Sequence, residues 1–452
     1  MVTRSTPAAT PASYDDLEGS RAQWRNLGLL ALAEVLGMSL WFSASAVSPA
    51  LQDAWGLSVA SAAWLTMAVQ IGFVAGTAMS GVLNLPDIVS SRRLFVISAL
   101  LGAAANAGFA FLATGLGSGI VLRFLTGFCL AGVYPPGMKL AATWTRRHRG
   151  LAIGLVVGAL TVGSAAPHLV RSLATTGEVC TLLGAIGLCS PGVQTFSWAN
   201  VILVSSALAI VGGLIVALLF REGPFASAGA QFNPRFALSI FTRRGLRLAN
   251  FGYLGHQWEL YAMWTWVPIF LAERVTTGGG STGFAALLAF AVVGSGGIGC
   301  LVAGAGADRV GRTVTTSAAM IVSGSMAVLA AVFYAAPLPL LIAILLIWGV
   351  SVVADSAQFS ASVTELSPPE YTGTALTIQT SVGFLLTMVS IQLVPLVVAA
   401  AGWPAAFVML AIGPALGTVA MLTLRRLPEA TQLAGGRRGG RAPRAYSWNK
   451  KH

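Results

Sequence analysis

A chain of 452 residues that is 56% hydrophobic and only 9% charged, with a mean hydropathy of +0.77, has too few polar side chains to clothe a soluble fold. The net charge of +12 would suit nucleic acid only if the basic residues shared one surface. Instead, all but Arg123, Lys139, Arg171 and Arg274 fall in the two tails and in the loops of one membrane face, so the charge reports orientation and contact with anionic lipid, with both termini cytoplasmic and no nucleic-acid partner.

Twelve mostly apolar runs, each long enough to cross the ~30 Å hydrocarbon core as a helix, are predicted near 27–49, 59–83, 94–114, 118–143, 150–172, 197–220, 249–272, 282–303, 314–335, 338–362, 374–399 and 403–424. Residues 1–26 form a polar tail expected to lack order. The first run is too long for a signal-peptide core and no small-residue cleavage site follows it, so it is expected to stay as a helix. Along it Glu34, Met38, Trp41, Ser45 and Ser48 recur at helical spacing and make a stripe that faces protein or water.

The loop after helix two reads G-V-L-N-L-P-D-I-V-S-S-R-R, carrying Gly81, Asp87, Arg92 and Arg93. Helix four opens with Arg123-Phe-Leu-Thr-Gly127. It continues through Gly132-Val-Tyr134-Pro-Pro-Gly137, a run that weakens the backbone ladder and predicts a bend. Lys139, near the inner end, is expected to extend its ammonium to the interface. His168 and Arg171, toward the outer end of helix five, read as a vestibule or an interface anchor. The connection 173–196 holds Cys180 and Cys189, which the topology places on the outer, oxidising side; a disulfide there would pin a cap over the entrance, while Cys129 and Cys300 stay free.

A polar, basic linker at about 221–248 separates two parts. Leu36-Gly37, Pro49, Gly132-Val133 and Gly81 recur as Leu254-Gly255, Pro268, Gly349-Val350 and Gly304, all at an offset of about 220 residues, as a duplication leaves behind. The expected domains are a tail (1–26), a six-helix half (27–220), the linker, a second half (249–424) and a basic cytoplasmic tail (425–452). In helix seven His256, Glu259, Met263 and Trp266 share a face; in helix ten Ser351, Asp355, Gln358 and Ser362 do. An unpaired acid at membrane depth costs several kcal/mol, so such acids mark a pathway, a proton relay or a structural pair. His256 reads either as a relay or as a hydrogen-bonded core histidine. Gln70, Gln379 and Gln392 are further candidate cavity groups.

The stretch G-A-G-A-D-R-V-G-R from Gly304 to Arg312 places Asp308, Arg309 and Arg312 between two apolar runs, with Gly311 at the turn. Its spacing resembles the signature loop of the major facilitator superfamily, G-x-x-x-D-R-x-G-R, and Arg123 to Gly127 resembles that family's R-x-x-x-G element. The resemblance implies an all-α membrane protein of twelve helices in two pseudo-symmetric halves, with helices one, four, seven and ten lining a central cavity. The substrate and proton pathway is then expected to include Glu34, Trp41, Gln70, Arg123, Tyr134, His256, Glu259, Trp266, Asp355, Gln358 and Gln379. Gly81, Asp87, Arg92, Arg93, Gly304, Asp308, Arg309, Gly311 and Arg312 would form gating loops, Asp308 and Arg309 bracing neighbouring helix ends.

These features predict a proton-coupled secondary transporter of a small polar or organic solute in a bacterial cytoplasmic membrane, acting as a monomer without a cofactor or metal. As a whole-chain pattern it also resembles the bacterial nitrate/nitrite and small-anion porters, although that group's arginines in helices two and eight are missing; Arg123, the one deep permanent cation, allows one anionic group on the solute without requiring it. A drug or metabolite exporter driven by proton antiport is the alternative, with a non-transporting sensor more remote. A membrane transferase would need a D-x-x-D or H-x-x-x-H pair, and the chain has neither.

Overall fold

A computed structural model describes residues 19–83, 85–145, 149–175, 197–225, 236, 239–368 and 371–436. Every regular element among them is helical, in the order α1 (Arg21–Met38), α2 (Ser43–Ala46), α3 (Ser48–Trp55), α4 (Val59–Val82), α5 (Leu85–Ile88), α6 (Ser91–Leu112), α7 (Leu116–Leu130), α8 (Tyr134–Ala142), α9 (Arg149–Thr175), α10 (Trp198–Leu218), α11 (Ser239–Thr242), α12 (Arg244–Thr277), α13 (Thr282–Gly294), α14 (Gly296–Val310), α15 (Arg312–Val332), α16 (Leu338–Val352), α17 (Ser356–Leu366) and α18 (Thr372–Arg426). A 3-10 segment, Pro428–Gly436, closes the described chain. Nine segments among the described residues are long and apolar enough to cross a membrane. The α1–α3 rod and α12 are not among them: one is interrupted, and the other carries His256-Gln257-Trp258-Glu259 in mid-course.

The rods alternate in direction. Gln23 donates to the Trp144 carbonyl and Arg92 to the Val216 carbonyl on the face where α1 begins, here the tail face. On the opposite, far face Arg171 donates to Ala46 and Arg274 to Ala336. α18 is two antiparallel limbs turned at Gly402, whose φ of 79° is a conformation glycine adopts without strain.

Three rods break over three or four residues in mid-span, and a fourth is interrupted at Ser295 alone. The α7/α8 break falls at 131–133, just before Pro135 and Pro136, which lack an N–H to give the ladder; this is the predicted bend. The breaks at 39–42 and 353–355 contain neither proline nor glycine. Each relies on a neighbour to satisfy freed carbonyls: the Cys300 thiol reaches the Val353 carbonyl at 3.6 Å, and Arg123 serves the first break. Open carbonyls in lipid would otherwise cost several kcal/mol each.

Glycines set the helix spacing twice over. A Cβ on Gly127 would lie 1.9 Å from the Val69 carbonyl oxygen, and one on Gly349 would lie 1.9 Å from that of Val292. α7 thus packs on α4 as α16 packs on α13, which makes Gly127, and not Gly132, the counterpart of Gly349. α10 approaches α1 at Gly212, whose Cβ would lie 2.7 Å from the Ala33 carbonyl oxygen, as the last limb of α18 approaches α12 at Gly413, whose Cβ would lie 2.5 Å from that of Gly255, which makes Ala33, and not Gly37, the counterpart of Gly255. The two parts meet along a seam of α9 against α13 and α14, where Gly150, Gly154 and Gly158 face Gly304, Cys300 and Gly297.

Candidate functional site

Glu34 ends the polar stripe of α1 in full burial, with 0% of its surface exposed. Neither carboxylate oxygen has a hydrogen-bond partner. The carboxyl fits because Gly137 on α8 has no side chain: a Cβ there would lie 1.7 Å from Glu34 Oε1. Tyr134 sits one turn earlier on α8, within electrostatic reach of Glu34 and of Tyr253 on α12.

Arg123 does not pair with Glu34. Its guanidinium fans over the first break, Nη1 donating to the Leu40 carbonyl (3.1 Å), Ser43 Oγ (3.0 Å) and Asn106 Oδ1 (2.7 Å), and Nη2 to the Trp41 carbonyl. Asn106 in turn donates to the Ile202 carbonyl and to Ser206 Oγ, both at 3.0 Å. The side chain expected to hold an anion therefore holds the backbone, leaving only its Nε without a partner.

The break turns Trp41 into an aromatic roof. Its ring lies 4.9 Å from Phe73, 5.7 Å from Tyr261 and 5.6 Å from Phe384, joining α4, α12 and α18. On the far side of this roof Thr387 donates to Gln70 Oε1 (2.8 Å), so the expected cavity group Gln70 seals α4 to α18.

The two acids expected to share a cavity are held apart in role. Glu259 accepts from Ser323 Oγ (2.9 Å) and Trp348 Nε1 (2.7 Å), clamping α12 to α15 and α16. Trp266 gives its N–H to the Ile391 carbonyl (3.0 Å), so the indole on Glu259 is Trp348. Asp355, at the second break, lies 2.8 Å from His256 Nδ1, an ion-pair distance without hydrogen-bond alignment, while His256 Nε2 has no partner. Gln358 Nε2, both amide atoms of Gln379 and Gln257 Oε1 are likewise buried without partners.

From Gln358 a polar chain runs to the tail face. Arg312 Nη1 donates to Gln358 Oε1 at 2.7 Å and lies 3.4 Å from Asp308 Oδ1; its Nη2 lies 3.0 Å from Glu365 Oε1. Glu365 also accepts from the Ala434 amide at 2.8 Å, tying the closing 3-10 segment into the network. Asp308 crosses the seam, since a Cβ on Gly150 would meet its two oxygens at 2.6 and 2.7 Å, at the start of α9 where helix N–H groups are open. The brace is thus Asp308 with Arg312, and Arg309 is exposed. Gly304 approaches Gly150 closely, and Gly311 makes the turn with φ 94°.

In the first-half loop Gly81 lies in the last turn of α4, Arg92 caps the end of α10 through the Val216 and Ala217 carbonyls, and Arg93 is exposed. Asp87 lies in α5; its side chain, with Cys180 and Cys189, is outside the described residues. Cys129 and Cys300 are free thiols. Asn106, Ser323, Trp348 and Glu365 escaped the sequence reading because their roles depend on partners 17 to 100 positions away.

The family model described as Major Facilitator Superfamily matches residues 29–391, and the chain belongs to that superfamily. It is a membrane transporter by family, and not an enzyme. Among solved structures the fold is similar to XylE, an MFS proton:xylose symporter bound to 6-bromo-6-deoxy-D-glucose, with a TM-score of 0.68 and 14% identity over 89% of this chain and 95% of that one. No curated protein matches the sequence.

Proposed function

We propose that this protein is a proton-coupled secondary transporter that carries a small polar or organic solute across a bacterial cytoplasmic membrane by alternating access. Twelve crossings in two six-helix halves, both tails cytoplasmic and a single chain as the working unit complete the reading. The observation that carries it is Glu34, a carboxylate in full burial without a partner on either oxygen. An ionised group there is costly, and a proton removes the cost; when the cavity opens to water the proton can leave. Proton symport by XylE, of the same fold, is in keeping with this chemistry.

The small-anion grouping draws no support from the site, because Arg123 spends its Nη donors on carbonyls, Ser43 and Asn106. Labelled anions, sugars and cationic drugs screened by thermal shift, then offered to proteoliposomes under an imposed pH gradient, test the proposal. At least one stabilising compound is expected to cross only while the gradient lasts. Equal flux after an ionophore collapses the gradient would overturn the coupling, and no flux of any stabilising compound would overturn transport.

A further inference from the structure

The His168 and Arg171 pair of α9 stands outside the candidate site. Both residues line a small, largely enclosed cavity toward the far face, walled by Ser45 of the first part and by Pro268, Thr282 and Ala286 of the second. We infer that this cavity is a halide site, filled by chloride, which ties the two parts together while the far face is closed.

The donors are there and the counter-charge is not. His168 is only 4% exposed and has no hydrogen-bond partner among the described residues, so its ring nitrogens are left to the cavity. Arg171 gives one N–H, from Nη1, to the Ala46 carbonyl at 2.7 Å, and a guanidinium carries further donors in the same fork. Thr282, the first residue of α13, brings the positive end of that helix to the opposite wall. No acid is among the described residues that line the cavity, and Glu273, next to Ala272 of its α12 wall, accepts from Trp403 Nε1 at 2.8 Å instead. A cation between apolar walls is unfavourable unless an anion pairs with it. Water would occupy the donors and leave the charge; a halide answers both. The cavity measures about 10 Å³, room for one particle of about the size of a water molecule, so polyatomic anions and organic solutes do not fit.

Because the walls come from both parts, the site exists only while they meet at the far face. A ligand that binds one of two states shifts the population toward it, so chloride favours the state closed on that face; this consequence alone rests on the alternating-access reading.

The test melts protein purified in sodium gluconate while chloride, bromide or sulfate replaces gluconate at constant ionic strength. A saturable rise in melting temperature is expected with both halides and none with sulfate. Arg171→Gln should raise the half-saturating concentration about tenfold or more, through loss of a hydrogen bond from a charged donor. Ala286→Leu, which fills the cavity and keeps both donors, should abolish the response, and Arg309→Gln, at the tail face, should leave it unchanged. If Arg171→Gln does not fold, Ala286→Leu decides. Cysteines placed at the far mouth should be labelled more slowly in chloride than in gluconate, a difference lost in Ala286→Leu. Equal melting in all four salts, or a halide response kept in Ala286→Leu, would overturn the inference. Halide stabilisation that Ala286→Leu removes, with far-mouth labelling indifferent to chloride, would sustain the site and overturn the tie between the parts. The transporter reading is judged separately, by flux under a pH gradient.

Discussion

At the scale of single residues, three buried charged groups differ by their partners. Arg123 satisfies two backbone carbonyls, Ser43 and Asn106, and leaving such groups unpaired in burial costs about 1–3 kcal/mol each. Arg123→Ala should therefore lower the melting temperature sharply and abolish transport. Arg123→Lys, a point charge without the fork, should fall between the two; wild-type melting in the alanine variant would show that the break needs no cap. Glu259 already holds two donors, so Glu259→Gln, which can keep only one as acceptor, should cost about 1–2 kcal/mol of stability while proton coupling persists. Glu34→Gln should do the reverse, keeping stability and losing coupling. These acids were legible in the sequence as polar positions in apolar helices. Which acid was free was not, because Ser323, Trp348 and Gly137 come from other helices.

At the scale of elements, hydropathy placed most rods to within a few residues, since a bilayer demands long apolar helices. The bend after Leu130 was legible from Pro135 and Pro136. The breaks at 39–42 and 353–355 were not, because their local sequence is compatible with continuous helix and the partners that satisfy them lie on α7 and α14. The signature loop likewise could not rank its glycines. A Cβ on Gly304 would meet the Gly150 carbonyl oxygen at 2.6 Å, whereas one on Gly306 meets nothing within 4 Å. Gly306→Ala should thus be neutral in melting and transport, and Gly304→Ala should impair both. Gly127→Ala, driven into the Val69 carbonyl, should be the most damaging of the three. Equal behaviour of the Gly304 and Gly306 variants in a thermal melt would refute the seam geometry.

Across the whole molecule, the polar chain that begins at Gln358, three residues along the helix from Asp355, passes through Arg312 and ends on Asp308 and Glu365 at the tail face. Asp308 lies against Gly150 of the other part, so the chain links the membrane centre to the seam. Asp308→Ala should shift the population toward tail-face opening, seen as faster labelling of cysteines placed at that mouth, and Arg309→Ala should not. Unchanged labelling with unchanged transport would reduce the loop to a turn. The duplication announced the paired architecture in the sequence. The contact across it was legible only as a motif, since Gly150 lies 158 positions from Asp308.

The central claim, that Glu34 takes up and releases the coupling proton, is open to a measurement that needs no known substrate. Proteoliposomes adsorbed on a solid-supported membrane and given a step in pH report charge displaced by protonation inside the protein. Wild type and Glu259→Gln should give a transient current, and Glu34→Gln should lose it while remaining folded. A current of the same size in Glu34→Gln would contradict the account.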